Sequence, residues 1–301
     1  MRPIIVGIDP GKNEAEPLSP DFPSGARLAQ LADMTVEEFR LKFDRVNLHP
    51  VAGHPQSQDW DAARNLFLIL RGRRVIALGP RVAYALADGD DYKPYLKWVR
   101  RDEYITAAIA HPSGRNRWWN DPENVDAAQA FMSKAALPCI HVEGPDGSGK
   151  STLVKYLSKI LKYRVRPTQN PPKSWMECSA RIRDRIEPGI VCDRSSGLIS
   201  ELVYGPVLRG GTLLKEELMW DCVRSIIHSV VFVYCRPPLE RITPTFRPLE
   251  DPTHVEGVVT RQMDLVDRYD VVMAQLSREG ARVIRYDWTR QEPMEVAKCV
   301  G

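Results

Sequence analysis

Cys139-Ile-His-Val-Glu143-Gly144-Pro145-Asp146-Gly147-Ser148-Gly149-Lys150-Ser151-Thr152 is the stretch on which the fold turns. An apolar run of strand character ends in a complete G-x-x-x-x-G-K-[ST] loop, and the loop opens a segment of helical period, predicted as a helix over 151–161. Glycine lets such a loop curl until its N–H groups point inward at a polyphosphate, and the positive end of the following helix adds to their pull. Gly144, Gly147, Ser148, Gly149 and Thr152 are therefore candidate phosphate-cradling residues. Lys150 would reach the β and γ phosphates of ATP, and Ser151 would ligate Mg²⁺.

Outward from this loop, strands are predicted at 190–192, 230–234 and 281–286, with helical stretches at 213–228 and 258–276 between them. Upstream, strands are predicted at 4–8, 75–78 and 105–110, each ending in a Gly- or Pro-bearing loop, and a helix over 126–136 closes that half. Strands alternating with helices predict parallel sheets, with ligands at the carboxyl ends of the strands. Leu137-Pro138 interrupts the pattern, so two different α/β domains are expected, 1–136 and 137–301, without an internal repeat.

Composition narrows the function classes. The chain has 301 residues, 43% hydrophobic and 27% charged, and no apolar run approaches the roughly 18 residues of a membrane span. Disordered, collagen-like and membrane-spanning classes are excluded on this basis, and nothing at the start of the sequence reads as a signal peptide, so a cytoplasmic location is expected. A formal charge of +3 does not by itself argue for a nucleic-acid partner. The six cysteines form no CxxC pair, which favours reduced, buried thiols over disulfides or a zinc site.

The second half resembles the thymidylate kinase and deoxynucleoside kinase group, through the loop itself and through Val191-Cys-Asp193-Arg194-Ser195 at a strand end. That resemblance implies that Asp193 helps hold Mg²⁺, that Arg194 contacts phosphates, and that Arg236 and Arg241 in Cys235–Arg247 belong to a lid clamping the transferred phosphoryl group, with Arg247 read almost as readily as part of a solvated basic loop. The acidic general base these kinases carry after the second strand is missing here. Asp146, inside the loop, and Glu201 are the candidates, and both could equally be structural. Leu198-Ile-Ser-Glu201-Leu-Val-Tyr204-Gly, with Arg209 close behind, is similar to a group of phage-type kinases that modify thymine-like bases. There Tyr204 could stack on a base or be a buried core residue, and Arg209 could meet a phosphate.

The first half resembles the uracil-DNA glycosylase superfamily. Gly7-Ile-Asp9-Pro-Gly11, Pro23-Ser-Gly-Ala-Arg27, Asn47-Leu48, Val75–Gly79 and His111-Pro-Ser113 occur in the family's order. The resemblance implies that Asp9 aligns water and stabilises a cation at the sugar, that His111 hydrogen-bonds a flipped base, and that Asn47 reads it. Ser113, Arg115, Arg117 and Trp118 would sit in the loop that enters DNA. Gly11, where the strictest uracil enzymes carry a tyrosine, would leave room for a substituent at C5.

Together the halves suggest a phage 5-hydroxymethyluracil DNA kinase, working on modified DNA with ATP and Mg²⁺ in an infected bacterial host. The alternatives are a deoxynucleoside monophosphate kinase fused to a DNA-binding module, a repair glycosylase with a regulatory NTP-binding domain, and a non-catalytic DNA-binding module.

Overall fold

The computed structural model describes residues 2–10, 16–87, 95–100, 104–113, 116–167, 173–174, 176–177, 180, 185–194, 197–243 and 252–300. The chain divides into two compact units, residues 1–137 and 138–301. Both are α/β.

In the first unit the strands are β1 (Ile4–Gly7), β2 (Asp44–Asn47), β3 (Arg74–Leu78), β4 (Val99–Arg100) and β5 (Ile105–Ile109), and the helices are α1 (Pro23–Leu31), α2 (Val36–Lys42), α3 (Asp59–Leu70), α4 (Gly79–Leu86) and α5 (Pro122–Ala135). The sheet order is β2-β1-β3-β5-β4, parallel except for β4. Alternation along the strands sends side chains to two separate cores. Ile5, Ile76, Leu78 and Ile109 pack with residues of α1, α2 and α5, whereas Ile4, Val6, Val75 and Ala77 pack with residues of α3 and α4. The unit is thus three layers, helix on sheet on helix. Helix α5 starts four residues before its sequence-based start, because Asp121 caps the Glu123 N–H at 3.0 Å and Pro122 is preset for a first helical position.

The second unit contains β6 (Cys139–Glu143), α6 (Lys150–Leu161), β7 (Arg164–Arg166), β8 (Ile190–Asp193), α7 (Leu198–Tyr204), α8 (Glu216–Arg224), β9 (Val230–Cys235), α9 (Pro252–Thr260), α10 (Gln262–Arg278), β10 (Arg282–Tyr286) and α11 (Pro293–Val300). Its sheet runs β10-β9-β6-β8-β7, all parallel. Strands β6 and β9 are buried throughout, which explains their unbroken apolar sequence. Strand β6 is central, and the chain leaves it at the point where strand order reverses, where open α/β sheets bind ligands.

The strands read from sequence end within one residue of those observed, but β2, β4 and β7 were not read, and besides α5 two further helices differ. The stretch 258–276 is broken at Arg261, whose backbone leaves helical geometry while its guanidinium bonds the Val207 carbonyl and Asp264. The hydroxyl of Thr260 bonds back to the Glu256 carbonyl at 2.8 Å, a contact that bends helices. The stretch 213–228 is helical only over Glu216–Arg224, because Leu213 is held by a side chain from α7. Strand β7 was missed as an apolar run because it is an exposed edge of alternating arginines. Among the described residues no helix is long and apolar enough to cross a membrane.

Candidate active site of the second unit

The loop after β6 is built by close approach. Gly144 has φ +144°, and a Cβ there would stand 2.5 Å from the Cys235 carbonyl of the neighbouring strand. Gly149 has φ +90°, and a Cβ would meet Trp288 Cδ1 at 3.0 Å. Both positions therefore require glycine, for conformation and for space. Trp288, just past β10 and 42% exposed, covers this end of the loop. Sequence reading passed over it, although a tryptophan directly after a terminal strand is a visible signal.

Lys150 begins α6 and is buried, with its Nζ donating to the Pro145 carbonyl at 2.6 Å and lying 3.8 Å from Asp146. Burial pushes its pKa down to about 8, the Arg194 charge adds to the effect, and Asp146 opposes it. The ammonium is thus short of negative charge, which incoming phosphate oxygens would supply. Ser148 Oγ is buried, with no hydrogen-bond partner among the described residues.

Ser151 Oγ donates to Asp193 Oδ2 at 2.7 Å, so the first turn of α6 and the end of β8 present a hydroxyl and a carboxylate side by side. An oxygen pair of one neutral and one anionic group suits a hard cation such as Mg²⁺. Arg194, next along, has a positive φ of 64° and is fixed by its N–H to the Val142 carbonyl at 3.0 Å. Its guanidinium bonds Asp146. Buried Arg185, another residue missed from sequence, holds the Arg194 carbonyl at 3.0 Å.

Most of the other candidate residues of this unit have defined partners. Asp146 is clamped: Oδ1 meets Arg194, Oδ2 accepts from Tyr204 Oη at 2.9 Å, and its N–H donates to the same hydroxyl at 3.1 Å. Burial alone would raise its pKa, but Arg194, Lys150 and Tyr204 hold the carboxyl below the usual carboxylate range, so it anchors and is a poor proton acceptor. Tyr204 is buried between Tyr269, edge-on at 6.1 Å, and His254, so its ring offers no face for a base. Glu201 is 1% exposed and accepts two bonds from Arg209, at 2.6 and 2.7 Å, and one from Leu213 N–H. That network occupies Arg209 as well as Glu201. Arg236 is bonded to Asp270 through Nε and a terminal nitrogen. Arg241, in a short turn, is exposed, and Arg247 lies outside the described residues.

In the first unit Asp9 and His111 follow β1 and β5 at the same sheet edge, two strand positions apart, roughly 10 Å by strand spacing. Asp9 Oδ2 accepts from Gly53 N–H at 3.2 Å. His111 Nδ1 accepts from Ser113 N–H at 3.2 Å, which places the ring proton of the neutral form on Nε2 as a donor. Asn47 is buried, its Oδ1 has no hydrogen-bond partner among the described residues, and it lines a cavity of about 780 Å³ with Pro10, Leu48, His49, His54 and Asp61. His49 and His54 stack at 4.5 Å, and His49 is tied to Asp59, itself bound by Arg81. Trp118 packs against its neighbour Trp119 and against Tyr95. Gly11 and Arg115 lie outside the described residues.

No family model and no curated protein matches the chain. Solved structures resembling it include the YorR protein from Bacillus subtilis in complex with phosphorylated GDP, at 25% identity over 54% of this chain and 92% of that one, with a TM-score of 0.41. Deoxyadenosine kinase from M. mycoides with bound dCTP is 13% identical over 53% of this chain and 95% of its own, with a TM-score of 0.32. The NadR protein in complex with NAD and AMP-PNP is 13% identical and covers 99% of this chain and 86% of its own, with a TM-score of 0.37.

Proposed function

We propose that the chain is an ATP-dependent kinase whose acceptor is the hydroxymethyl group of 5-hydroxymethyluracil in DNA, as in phage thymine hypermodification, with the first unit binding and flipping the base. The observation that carries the kinase reading is the Ser151–Asp193 contact at 2.7 Å beside buried Lys150. The contact supports a reading in which a hydroxyl and a carboxylate take a cation beside an ammonium that takes phosphate.

Lys150 would bind the β and γ phosphates, Ser151 and Asp193 would hold Mg²⁺, and exposed Arg241 would neutralise charge on the transferred group. Mg²⁺ held there would supply charge neutralisation on the phosphates. The acceptor oxygen bonds the γ phosphorus, the bond to ADP breaks, and the acceptor proton leaves to solvent. A loose transition state places little charge on the attacking oxygen and asks mainly for positioning. That agrees with a site in which both candidate carboxylate bases are engaged.

For the first unit, supporting features are the shared edge of Asp9 and His111, the Nε2 donor and the orphan Asn47 oxygen at a cavity. A base read there needs buried polar partners of this kind. A unit that removed the base would destroy the kinase's substrate, so reading without cleavage is the expected role.

The test is incubation of the full chain with ATP-Mg²⁺ and either hydroxymethyluracil DNA or free thymidine nucleotides, followed by digestion and mass measurement of the nucleosides. A gain of one phosphate on the DNA-derived nucleoside supports the proposal. Phosphate on free nucleotides alone would assign a nucleotide kinase with a DNA-binding module, and abasic sites without phosphate would assign a glycosylase.

A further inference from the structure

Among the described residues, one group of histidine, cysteine and acidic side chains brings three such ligand atoms within 4.8 Å of one another: Cys139, His141 and Cys192. Cys139 and His141 lie on β6, Cys192 is the register partner of His141 on β8, and all three are at most 1% exposed. They point at one atom. The Arg185 carbonyl oxygen lies 2.9 Å from Cys139 Sγ, 2.8 Å from His141 Nε2 and 3.9 Å from Cys192 Sγ. Cys192 Sγ is also hydrogen-bonded to Cys139 and His141, so the three side chains and the carbonyl form one closed cluster.

We propose that Cys139, His141 and Cys192 bind a structural zinc ion, with the Arg185 carbonyl as the oxygen available for the fourth position. Two thiols and an imidazole form a soft to borderline set that suits zinc and not Mg²⁺, which takes oxygen ligands. The two metals of this unit would therefore sort themselves by ligand chemistry. At ordinary zinc bond lengths the ligand atoms stand about 3.5–3.8 Å apart, so atoms now within 4.8 Å have at most about 1 Å to close. The ion replaces the two thiol protons, which leave to solvent, so the charge of the site is unchanged.

The sequence argued against zinc because the two cysteines are 53 positions apart and no CxxC exists. Register across two parallel strands, which spacing does not reveal, brings them together. The role is positional. Arg185 also bonds the carbonyls of Pro167 and Arg194, so an ion gripping its carbonyl fixes the approach to β8 next to Asp193. The inference does not depend on the identity of the kinase acceptor.

Elemental analysis of the full chain, purified without chelator, should find one zinc per chain. Chelator treatment should lower the thermal midpoint, and Zn²⁺ but not Mg²⁺ should restore it. Cobalt added to the chelated chain should give a thiolate-to-metal charge-transfer band. Cys139→Ser and Cys192→Ser should each weaken zinc binding at least tenfold, while Cys299→Ser, altering an exposed cysteine, should not. If the serine variants fail to fold, the chelator and cobalt arms on the unaltered chain decide. A folded chain without zinc that gives no thiolate–cobalt band, or zinc retained by both serine variants, would overturn the proposal.

Discussion

Tyr204→Phe separates two readings of the tyrosine that the sequence left open. If the ring were a platform for a base, phenylalanine would serve as well. In the structure the hydroxyl is the working part: it donates to Asp146 Oδ2 at 2.9 Å and accepts from Asp146 N–H at 3.1 Å, tying α7 to the middle of the phosphate loop. Removing it deletes one neutral hydrogen bond, of about 1 kcal/mol, and one to a carboxylate, of about 1.5–3 kcal/mol. Arg194 remains on the carboxylate, which softens the loss, so about 2–3 kcal/mol is expected. For a unit of this size that is a fall of roughly 5–10 °C in thermal midpoint. Part of the same energy pre-organises the loop, so ATP-Mg²⁺ affinity should weaken about tenfold, equivalent to about 1.4 kcal/mol. Calorimetric unfolding and ATP titration of the full chain measure both. Combining the change with Asp146→Asn should be far from additive, because the two residues share the bonds. A phenylalanine variant with an unchanged midpoint and unchanged ATP affinity would refute the anchoring argument.

Lys150→Ala should reduce phosphoryl transfer at least a hundredfold while leaving DNA binding intact, since one preorganised charge partner typically accounts for that much; retention of a tenth of the activity would remove the lysine from its role. Asp193→Asn should shift the Mg²⁺ dependence of turnover to higher concentration, and an unchanged metal titration would make Asp193 structural. In the first unit, burial acts to raise the pKa of Asp59, but hydrogen bonds from Arg81 and His49 outweigh it and hold the group below its ordinary value. Its contribution is therefore present above the unfolded carboxylate pKa and is lost as pH falls through the lower folded value. Unfolding measured down the acid range should show this slope, and Asp59→Asn should flatten it.

What was legible in the sequence was contiguous. The phosphate loop, the strand before it and the helix after it lie within one run of residues, and their spacing alone implies an inward row of N–H groups. Asp193 was singled out through the resemblance of Val191–Ser195 to kinase motifs, and the structure sets it at the end of β8 with Ser151 Oγ donating to it at 2.7 Å. The boundary of α5 was lost to a cap that the apolar period does not register. The break at Arg261 was lost because it depends on a carbonyl 54 positions away in sequence, at Val207.

The general base was the hardest element to read, and the reason is electrostatic. A sequence shows that a carboxylate exists but not what neutralises it. Asp146 sits in a phosphate loop, where an acid is conspicuous, yet Arg194 from 48 positions downstream and Tyr204 from 58 downstream consume both its oxygens. Glu201 is consumed by Arg209 and the Leu213 amide. Pairing the two acids inward also takes Arg194 and Arg209 out of the pool of unpaired cations that would otherwise draw phosphate. In the proposed reading, the positive charge offered to phosphate then rests on Lys150, exposed Arg241 and the loop N–H groups. Lys150 is buried and its pKa is pushed down to about 8, so it keeps its charge near neutral pH at a cost that a bound polyphosphate would offset. If a polyphosphate binds as proposed, the two acids stay fixed by their partners and the lysine is the group that responds.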